Sequence, residues 1–539
     1  MSGTVRSRVD SGVVDVAVVG AGFAGLYLLH RLRGLGLSAR CFETAPDVGG
    51  TWYWNRYPGA RCDVRSVDYS YSFDEGLQQD WDWSERYSAQ PEVLSYLRHV
   101  AERFDLRRSI TFRTRIVAAH YDEESATWTL HGEDGERARA RFCVMATGCL
   151  SVPKRPEIPG LGSFVGAVYH SARWPEMGVD LAGRRVGVFG TGASGVQMIP
   201  LLAEQASRLT VFQRTPAFSL PARNHRLEPE ELAAVKRDYA ERRRVARTTP
   251  SGMDLDSNPA SALEVGPARR RAEFARRWEI GGFSLLGAYA DLLSDERANG
   301  AVAEFVRERI RETVKDPDVA ERLCPTQYPF GTKRPCVDTG YYDTFNRDNV
   351  RLVDLRETPV EAVTTTGVRT TAEHHDLDCL VLATGFDAMT GALGRIDVRG
   401  RGGEPLAARW AAGPRTYLGL ATAGFPNLFL ITGPGSPSVL TNMVASIEQH
   451  VEWTTDCIAH VLARGGRSVE ATERAQDEWV AHADAVAART LYPRADSWYT
   501  GANVPGKPRR FLPYAGGLAD YAQTCAAVAA DGYRGFRLA

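Results

Sequence analysis

The chain has 539 residues and a formal net charge of −1, with 44% apolar and 24% charged residues. This length predicts two or three domains, and the near-neutral charge argues against nucleic acid or an anionic membrane surface as a partner. Because no apolar run is long enough to span a membrane and the N-terminus has no apolar signal segment, we expect a cytoplasmic protein.

The first predicted elements form a dinucleotide-binding unit. Residues 13–19 are apolar and β-branched, as in a buried strand, and residues 26–37 have the apolar spacing of a helix. Between them stand Gly20, Gly22 and Gly25. In this fingerprint the glycines permit a tight turn, the approach of a pyrophosphate and close packing of helix on strand. We therefore predict a nucleotide diphosphate at the amino end of the helix.

The end of the next predicted strand, residues 38–43, indicates which nucleotide binds there. Glu43 stands 18 residues after Gly25. A carboxylate at this position accepts hydrogen bonds from free ribose hydroxyls, so the first unit is predicted to bind FAD. Residues 143–148, a strand running into an Ala-Thr-Gly turn, close this unit.

A second unit repeats the plan with the opposite charge. A predicted strand over residues 185–189 and a helix over 196–206 flank three further glycines, which are Gly190, Gly192 and Gly195. The following strand, residues 209–214, ends in a cation and a hydroxyl, Arg214 and Thr215. These groups suit a phosphorylated ribose, so the second unit is predicted to bind NADPH.

The remaining chain completes these units. Residues from about 225 to 325 are rich in Arg, Glu and Ala, which predicts a helical insertion, and strands resume at 350–354 and 380–385 before helices after residue 440. We predict an α/β fold with two Rossmann-like domains. The predicted ranges are 1–150 and 390–539 for the FAD-binding domain, 151–224 and 332–389 for the NADP-binding domain, and 225–331 for the helical insertion.

The nine cysteines are scattered, with no Cys-x-x-Cys pair and no His/Cys cluster at zinc spacing. An odd, widely spaced set fits reduced thiols. We therefore expect neither a dithiol relay nor a bound metal.

The segment between the glycine units carries a family resemblance. Its pattern of Phe164, Gly166, His170, Trp174 and Pro175 resembles the fingerprint of type I Baeyer–Villiger monooxygenases. Nearly the whole chain shares the resemblance. The similar segments are 51–63, 328–334 and 498–503 for the phenylacetone monooxygenase branch and 433–439 for the steroid monooxygenase branch.

The resemblance implies a reaction. NADPH reduces FAD, O2 forms a C4a-peroxyflavin, and this oxidant converts a ketone to an ester or lactone. The protein then supplies orientation and electrostatics to chemistry that belongs to the cofactors. The expected partners are a small ketone and O2, without nucleic acid or membrane; the oligomeric state stays open, and a monomer is compatible with the sequence.

An anionic oxidant and a tetrahedral oxyanion both require a fixed cation. Arg334 is the candidate because a guanidinium stays charged and directs several donors, and Asp63 is expected to hold it. His170 and Trp174 are expected from the resemblance to couple the domain positions; simple structural packing of this histidine beside the tryptophan is the alternative.

Further cofactor contacts are predicted. Lys333 is expected to join Arg214 at the 2′-phosphate because charge-assisted bonds suit it. The resemblance places Trp498 on a mobile loop near the nicotinamide. It also adds FAD-binding residues to the glycines and Glu43, namely Thr51, Trp52, Trp54, Asp63, Tyr69 and Met443, and Arg334 is counted among the cofactor contacts as well.

The substrate pocket is expected to include Cys149, Ser438, Val439 and Leu440. Its apolar character favours hydrophobic ketones. Cys149 and Val439 depart from the phenylacetone-type pattern, and the valine matches the steroid-type loop, so bulkier or cyclic ketones are compatible.

Three other functions share the paired glycine units. An N-hydroxylating flavin monooxygenase would act on an amine, although the Phe164–Pro175 motif and the Lys333–Arg334 pair are not expected in it. An NADPH oxidase would release hydrogen peroxide, and a nucleotide-binding regulatory protein would show no turnover.

Overall fold

Two sheets with parallel cores organise residues 12–539, the part of the chain that this computed structural model describes. The helices are α1 Phe23–Gly34, α2 Thr51–Trp54, α3 Glu75–Asp80, α4 Gln90–Arg103, α5 Ala193–Gln205, α6 Pro229–Arg237, α7 Tyr239–Arg247, α8 Pro267–Ile280, α9 Glu296–Thr313, α10 Pro317–Leu323, α11 Tyr341–Thr344, α12 Leu406–Arg409, α13 Met443–Ala463, α14 Glu473–Ala488 and α15 Leu518–Ala530. The strands are β1 Val14–Val19, β2 Ala39–Phe42, β3 Ile110–Thr111, β4 Ile116–Asp122, β5 Thr127–Gly132, β6 Arg137–Met145, β7 Ala167–His170, β8 Arg185–Phe189, β9 Arg208–Gln213, β10 Ser219–Pro221, β11 Cys336–Asp338, β12 Val350–Asp354, β13 Val360–Val363, β14 Gly367–Thr370, β15 His374–Asp376, β16 Cys379–Leu382, β17 Asp397–Arg399, β18 Leu428–Leu430, β19 Val469–Ala471 and β20 Phe536–Leu538.

The first sheet has the strand order β17-β4-β5-β6-β1-β2-β3, and β18 pairs with β6. β1 pairs in parallel with both β2 and β6, which places the first glycine turn at the carboxyl end of a central strand. Strands β17 and β18 follow β16, the last strand of the second sheet, in the sequence. The first sheet is therefore built from two separate stretches of chain.

The second sheet, β12-β9-β8-β16-β7, is parallel throughout. Helix α5 follows β8 directly, so the second glycine turn also lies at the carboxyl end of a buried central strand. Together the sheets confirm the predicted α/β fold with two dinucleotide-binding units. The exact domain limits stay a prediction, while residues 225–331 contain α6 to α10.

Both glycine-turn helices begin earlier than their apolar spacing predicts. α1 starts at Phe23 and α5 at Ala193, each preceded by an extended glycine, Gly22 or Gly192, that ends the turn. α1 also stops at Gly34, before the left-handed Gly36 at φ +71°. Apolar spacing reports the buried face of a helix, whereas backbone conformation at its ends sets its limits.

Every cysteine is buried and free, as expected of reduced thiols. Within residues 12–539, no helix is long and apolar enough to cross a bilayer. The same residues contain no group of three His, Cys, Asp or Glu side chains arranged to hold a metal ion.

His450 on α13 should make the fold sensitive to acid. Burial lowers the pKa of His450 to about 3, and its Nδ1 accepts the backbone N–H of Thr432 at 2.9 Å. The unfolded state takes up a proton near pH 6.5 and the folded state does not. The contribution of neutral His450 to the free energy of unfolding is therefore fully present above pH 6.5. This contribution falls by up to about 1.4 kcal/mol per pH unit as the pH drops towards 3.

The His450→Asn variant keeps an acceptor for Thr432 and removes the titrating ring. Between pH 6.5 and 5 its free energy of unfolding should fall by up to about 2 kcal/mol less than that of the parent. Urea unfolding across this range measures the difference, with the exposed His225→Asn as control. Identical pH slopes for the parent and His450→Asn would contradict the assignment.

Candidate active site

The two glycine turns have the same geometry, and each needs its glycines for steric reasons. Gly20 and Gly190 both have φ +107°, and a Cβ on them would lie 2.5 Å from the Ala146 carbonyl oxygen and 2.4 Å from that of Ala383. These alanines begin the two Ala-Thr-Gly turns. Each unit is thus a glycine turn packed directly on the end of a neighbouring strand.

The third glycine of each unit fixes the helix against the turn. A Cβ on Gly25 would lie 1.9 Å from the Gly20 carbonyl oxygen, and one on Gly195 would lie 2.2 Å from that of Gly190. No larger side chain fits such contacts, because real Cβ atoms do not approach within 3 Å. The predicted packing role of these glycines agrees with the contacts.

The middle glycines leave room for a ligand. A Cβ on Gly22 would first meet the Gly50 backbone at 3.5 Å, and one on Gly192 would meet nothing within 4 Å. Neither α1 nor α5 has a side-chain hydrogen bond capping its amino end. Free N–H groups facing open space suit a diphosphate, so both turns fit the predicted dinucleotides.

Glu43 lies beside the first turn as predicted. Its carboxylate accepts the backbone N–H groups of Ala21 at 2.7 Å and Ala45 at 2.8 Å, and it is only 5% exposed. Burial raises the pKa of Glu43, and these backbone bonds oppose the rise. The carboxylate is held in one orientation with lone pairs left over for ribose hydroxyls.

The cations predicted at the second nucleotide lie close together. Burial and then the charge of Arg214 lower the pKa of Lys333, whose Nζ lies 4.5 Å from the centre of the Tyr328 ring. Neither cation forms an ion pair with a carboxylate in residues 12–539. Thr215 follows Arg214, and its carbonyl accepts the Thr191 hydroxyl at 3.0 Å. This is a locally positive site that an anion would stabilise.

Arg334 and Asp63 form the predicted pair, although 271 positions separate them. Arg334 Nε and Nη2 donate to the two carboxylate oxygens of Asp63 at 2.7 and 2.8 Å, and Nη1 donates to the Val439 carbonyl at 2.8 Å. The guanidinium also lies 4.9 Å from the centre of the Phe283 ring. The three hydrogen bonds and the contact with the Phe283 ring hold the guanidinium in one position.

The environment keeps Arg334 charged. Burial alone would lower the pKa of Arg334, but the charge and hydrogen bonds of Asp63 outweigh burial and raise that pKa above its usual value. The side chains of Arg334 and Asp63 keep exposed fractions of 24% and 23%. The cation is therefore sheltered from bulk water and still reachable by a ligand.

The predicted pocket residues gather next to this cation. Cys149 and Val439 belong to one apolar cluster with Tyr499, against which Leu440, Met443 and Trp498 pack. Burial raises the pKa of Cys149 to about 11, so it stays a thiol and contributes apolar surface.

Ser438 has an unusual conformation beside this cluster. Its φ is +27°, in the left-handed region that a serine rarely adopts, and its buried Oγ has no hydrogen-bond partner. Strain and an unpartnered polar atom together are typical of functional loops. The serine adjoins Val439, whose carbonyl holds Arg334.

The aromatic residues predicted at FAD occupy two places. Trp52 Nε1 donates to the Tyr69 hydroxyl at 3.2 Å, so these two residues form one unit. Trp54 lies under the guanidinium of Arg173, 4.5 Å from its ring centre, and Thr51 is exposed at the start of α2. Their contacts with FAD stay a prediction.

His170 joins the segments that connect the two sheets. Its Nδ1 accepts the Ala172 N–H at 3.1 Å, so Nε2 holds the proton and donates to the Lys154 carbonyl at 3.1 Å. Thr384 donates to the same carbonyl at 2.6 Å. Trp174 is buried, with its ring 5.5 Å from that of Tyr169. This position suits both domain coupling and structural packing, and the role stays a prediction.

Three residues in or next to the site were not predicted. Phe283 and Tyr499 contact Arg334 from the helical insertion and from the C-terminal part of the chain. Burial lowers the pKa of Lys154, and the positive charge of Arg214 lowers it further. No local pattern indicates these positions, because each contact joins distant parts of the sequence.

A cavity of about 1050 Å³ lies elsewhere, between α3 and helices α6 and α7. Cations such as Lys236, Arg243 and Arg247 line much of it. None of the predicted site residues contributes to its walls. Its basic lining does not suit an uncharged ketone, so the apolar cluster beside Arg334 is the better candidate.

Comparison with known proteins identifies the family. The model of the flavin-binding monooxygenase-like family matches residues 14–238. A solved structure, oxidized steroid monooxygenase bound to NADP, is 52% identical over 98% of this chain and 99% of that chain, with a TM-score of 0.94. Acetone monooxygenase (methyl acetate-forming) from Gordonia sp. (strain TY-5) is 42% identical over 97% of this chain and 99% of the relative. A Baeyer–Villiger monooxygenase from Pseudooceanicola batsensis is 40% identical over 98% of this chain and 97% of the relative. The chain belongs to the Baeyer–Villiger monooxygenase family.

A further relative of this chain is named for another oxidation. Phenazine N-monooxygenase from Lysobacter antibioticus is 42% identical over 98% of both chains. Membership in the Baeyer–Villiger monooxygenase family therefore establishes the class of enzyme and leaves the substrate to be argued from the site.

Proposed function

We propose that this Baeyer–Villiger monooxygenase uses FAD and NADPH to convert a hydrophobic ketone to an ester or lactone with one oxygen atom from O2. The observation that supports this most strongly is the Arg334–Asp63 pair, held beside an apolar cluster. FAD and NADPH, when bound, supply hydride transfer and the activation of O2. The remaining steps concern what the side chains of this chain do.

The first glycine turn holds FAD. The N–H groups at the start of α1 bind its diphosphate, and Glu43 accepts hydrogen bonds from its ribose. Trp52 and Tyr69, joined by their hydrogen bond, would contact FAD. Met443 at the start of α13, which packs against both the main core and the pocket cluster, would contact it as well. Thr51 and Trp54 complete the proposed contacts.

The second glycine turn holds NADPH. Arg214, Thr215 and Lys333 bind the 2′-phosphate, because two cations without carboxylate partners gain most from a dianion. Trp498 would contact the bound coenzyme. His170 and Trp174 keep the connecting segments in register as the coenzyme binds.

The Arg214→Ala variant should discriminate between coenzymes. Loss of a charge-assisted bond to phosphate should cost about 2 kcal/mol of binding free energy and so raise the KM for NADPH roughly thirtyfold. The KM for NADH, which has no 2′-phosphate, should not change. Steady-state kinetics with both coenzymes measure this, and Arg208→Ala at the opposite end of β9 is the matched control. Equal losses with NADPH and NADH would refute the assignment.

Arg334 acts on the reacting oxygen atoms. As the ketone carbon becomes tetrahedral, its oxygen gains negative charge, and a guanidinium already fixed in place stabilises that charge without reorganisation. Asp63 holds the guanidinium plane. The Val439 carbonyl adds a third contact from the pocket loop itself, so the cation and the substrate wall are positioned together.

The pocket selects by shape and polarity. Cys149, Val439 and Leu440 offer apolar surface, and the buried Ser438 adjoins Val439 in the chain. Such a pocket favours hydrophobic, bulkier or cyclic ketones over polar ones.

Oxidation of a nitrogen is the second candidate, because a phenazine N-monooxygenase is 42% identical. A nitrogen nucleophile develops no oxyanion on a carbonyl, so it makes less use of the fixed cation. The ketone therefore remains the preferred substrate class.

A substrate panel tests the proposal. FAD-loaded enzyme with NADPH is given linear, aryl, cyclic and steroidal ketones and, separately, amines and a phenazine, and products are identified by mass. We expect esters or lactones from hydrophobic ketones, with NADPH consumption matched by product. N-oxides alone, or hydrogen peroxide alone with every compound, would overturn the ketone assignment.

Other features stay proposals. We propose a cytoplasmic protein and the domain limits given above, and the oligomeric state stays open. Sedimentation of the FAD-loaded protein at several concentrations would determine it.

A further inference from the structure

The cavity of about 1050 Å³ lies where the helical insertion meets the first dinucleotide-binding unit. Helix α3 lies on one side of it and helices α6 and α7 on the other. The two sides are joined by Gln79 and Lys236, each of which donates to the other's backbone carbonyl, at 2.9 and 2.6 Å. Small-molecule sites typically measure about 300–1,000 Å³, so the volume suits a ligand of that kind. None of the residues proposed for FAD, NADPH or the ketone lines this space, which we call the basic cavity.

The charge of the basic cavity is strongly one-sided. Five cations line it, namely Lys236 and Arg237 on α6 and Arg243, Arg244 and Arg247 on α7. Glu75 is the single carboxylate among the described residues that line it. Because the whole chain has a net charge of −1, this excess of positive charge is local. A concave surface of one sign raises the local concentration of ligands of the opposite sign.

The five cations differ in whether they already have a partner. Lys236, Arg244 and Arg247 each lie within ion-pair distance of a carboxylate that does not line the cavity; these partners are Asp82, Glu241 and Glu452. Within residues 12–539, Arg237 and Arg243 form no ion pair with a carboxylate. Their charges are therefore the ones that a bound anion would neutralise.

Arg243 is held in place by uncharged hydrogen-bond acceptors. Its Nε, Nη1 and Nη2 donate to the Gln78 side-chain oxygen at 3.3 Å, the Asp68 carbonyl at 3.1 Å and the Ser70 hydroxyl at 2.6 Å. The guanidinium also lies 5.2 Å from the centre of the Tyr239 ring. A guanidinium has five N–H donors, so Arg243 keeps two for a ligand. A cation that is fixed before the ligand arrives lowers the entropic cost of binding.

A buried carboxylate near this wall is engaged by other donors. Glu448 is only 4% exposed and accepts the backbone N–H and the hydroxyl of Ser72 at 2.5 and 2.6 Å. It lines a smaller neighbouring cavity, to which Arg243 also contributes, and it does not line the basic cavity. In the described part of the chain Glu448 forms no ion pair with Arg243. The guanidinium therefore remains available on the side of the basic cavity.

We propose that the basic cavity binds a small molecule that carries a diphosphate group. Cations on two successive helices line it, Arg237 on α6 and Arg243 on α7, and a diphosphate offers an anionic group to each. Phosphate oxygens suit the directed N–H groups of arginine. The volume beyond two phosphate groups would hold the organic part of the molecule, and Phe73 and Tyr239 supply aromatic surface for it.

Titration calorimetry with inorganic pyrophosphate tests the site in the FAD-loaded protein. Saturating NADP⁺ is present, so that neither glycine turn is free to bind the probe. We expect one pyrophosphate per chain, and ADP, an organic diphosphate, should compete with it. Succinate should bind at least about tenfold more weakly, because a dicarboxylate has less charge and fewer acceptor oxygens. No binding of pyrophosphate, no competition by ADP, or succinate binding as tight as that of pyrophosphate would overturn the proposal.

Single variants assign the binding to this cavity. Arg237→Met and Arg243→Met should each weaken pyrophosphate binding about tenfold or more, since each removes a charged hydrogen-bond donor. Arg269→Met is the matched control, because Arg269 is an exposed arginine of α8 that does not line the cavity, and it should bind like the parent. If Arg243→Met does not retain FAD, Arg243→Lys takes its place. It should weaken binding about threefold or more, because lysine lacks the directed pair of N–H groups.

Glu75→Gln should act in the opposite direction. Loss of the carboxylate from the lining should tighten pyrophosphate binding about twofold to fivefold, an effect that a disturbed fold would not produce. Unchanged binding in both Arg237→Met and Arg243→Met, or weaker binding in Glu75→Gln, would overturn the proposal. These titrations need no ketone, so a failure of the proposed ketone oxidation would leave their result standing.

Discussion

Arg334→Ala should abolish ester formation while the enzyme continues to oxidise NADPH. Removal of a single fixed donor to an oxyanion costs about 10²–10³ in rate, and Arg334 supplies both a fork of donors and a full charge. We therefore expect the rate of ester formation to fall at least about a thousandfold. Hydride transfer develops no carbonyl oxyanion, so NADPH consumption should stay within about tenfold of the parent and yield hydrogen peroxide.

The measurement compares ester, hydrogen peroxide and NADPH in the same reaction. FAD content must match the parent, so that lost product reflects the missing cation. Arg185→Ala is the matched control. Arg185 begins β8, at the end of this strand opposite the second glycine turn, and its side chain donates to the Asp378 carboxylate at 3.2 and 2.7 Å. An Arg334→Ala enzyme that still converts most NADPH to ester would contradict the role assigned to this residue.

Asp63→Ala should impair both activity and stability. The variant leaves the Arg334 guanidinium without two hydrogen bonds and without its counter-charge in a sheltered position. Breaking such a pair by removing one partner costs about 3–5 kcal/mol, and partial exposure places this case at the lower end. Ester formation should fall about a hundredfold or more, because the cation loses its orientation.

The double variant Asp63→Ala/Arg334→Ala distinguishes positioning from an independent role. Its ester formation should be no lower than that of Arg334→Ala alone, since the two residues act as one unit. Its free energy of unfolding, from urea titration, should exceed that of Asp63→Ala because no unpaired charge remains. Asp378→Ala serves as control. Strictly additive losses in activity would show that Asp63 has a separate function.

The nucleotide sites could be predicted from sequence because their determinants are local. Gly20 to Glu43 and Gly190 to Arg214 each lie within one strand–turn–helix–strand stretch. The structure adds the reason for each glycine, namely contacts with carbonyls such as that of Ala146. The starts of α1 and α5 were predicted three residues too late, because apolar spacing does not register a glycine that ends the preceding turn.

Prediction of the proposed catalytic pair required more than a local sequence pattern. Arg334 and Asp63 are 271 positions apart, and they were linked by the chemical need for a fixed cation together with a family resemblance. Phe283, Tyr499 and Lys154 escaped prediction because their contacts join distant parts of the chain, namely the helical insertion, the C-terminal part and the segment that follows β6. Nothing in the neighbouring sequence of these residues distinguishes them from ordinary core or surface positions.

Turnover of a hydrophobic ketone with NADPH under isotopically heavy O2 shows whether this chain inserts an oxygen atom from O2 next to a ketone carbonyl beside a fixed guanidinium. We expect the ester to carry one heavy oxygen atom for each NADPH consumed, and Arg334→Ala to lose the labelled ester but not NADPH oxidation. Unlabelled ester, or heavy hydrogen peroxide as the sole product of the parent enzyme with every ketone, would refute this function.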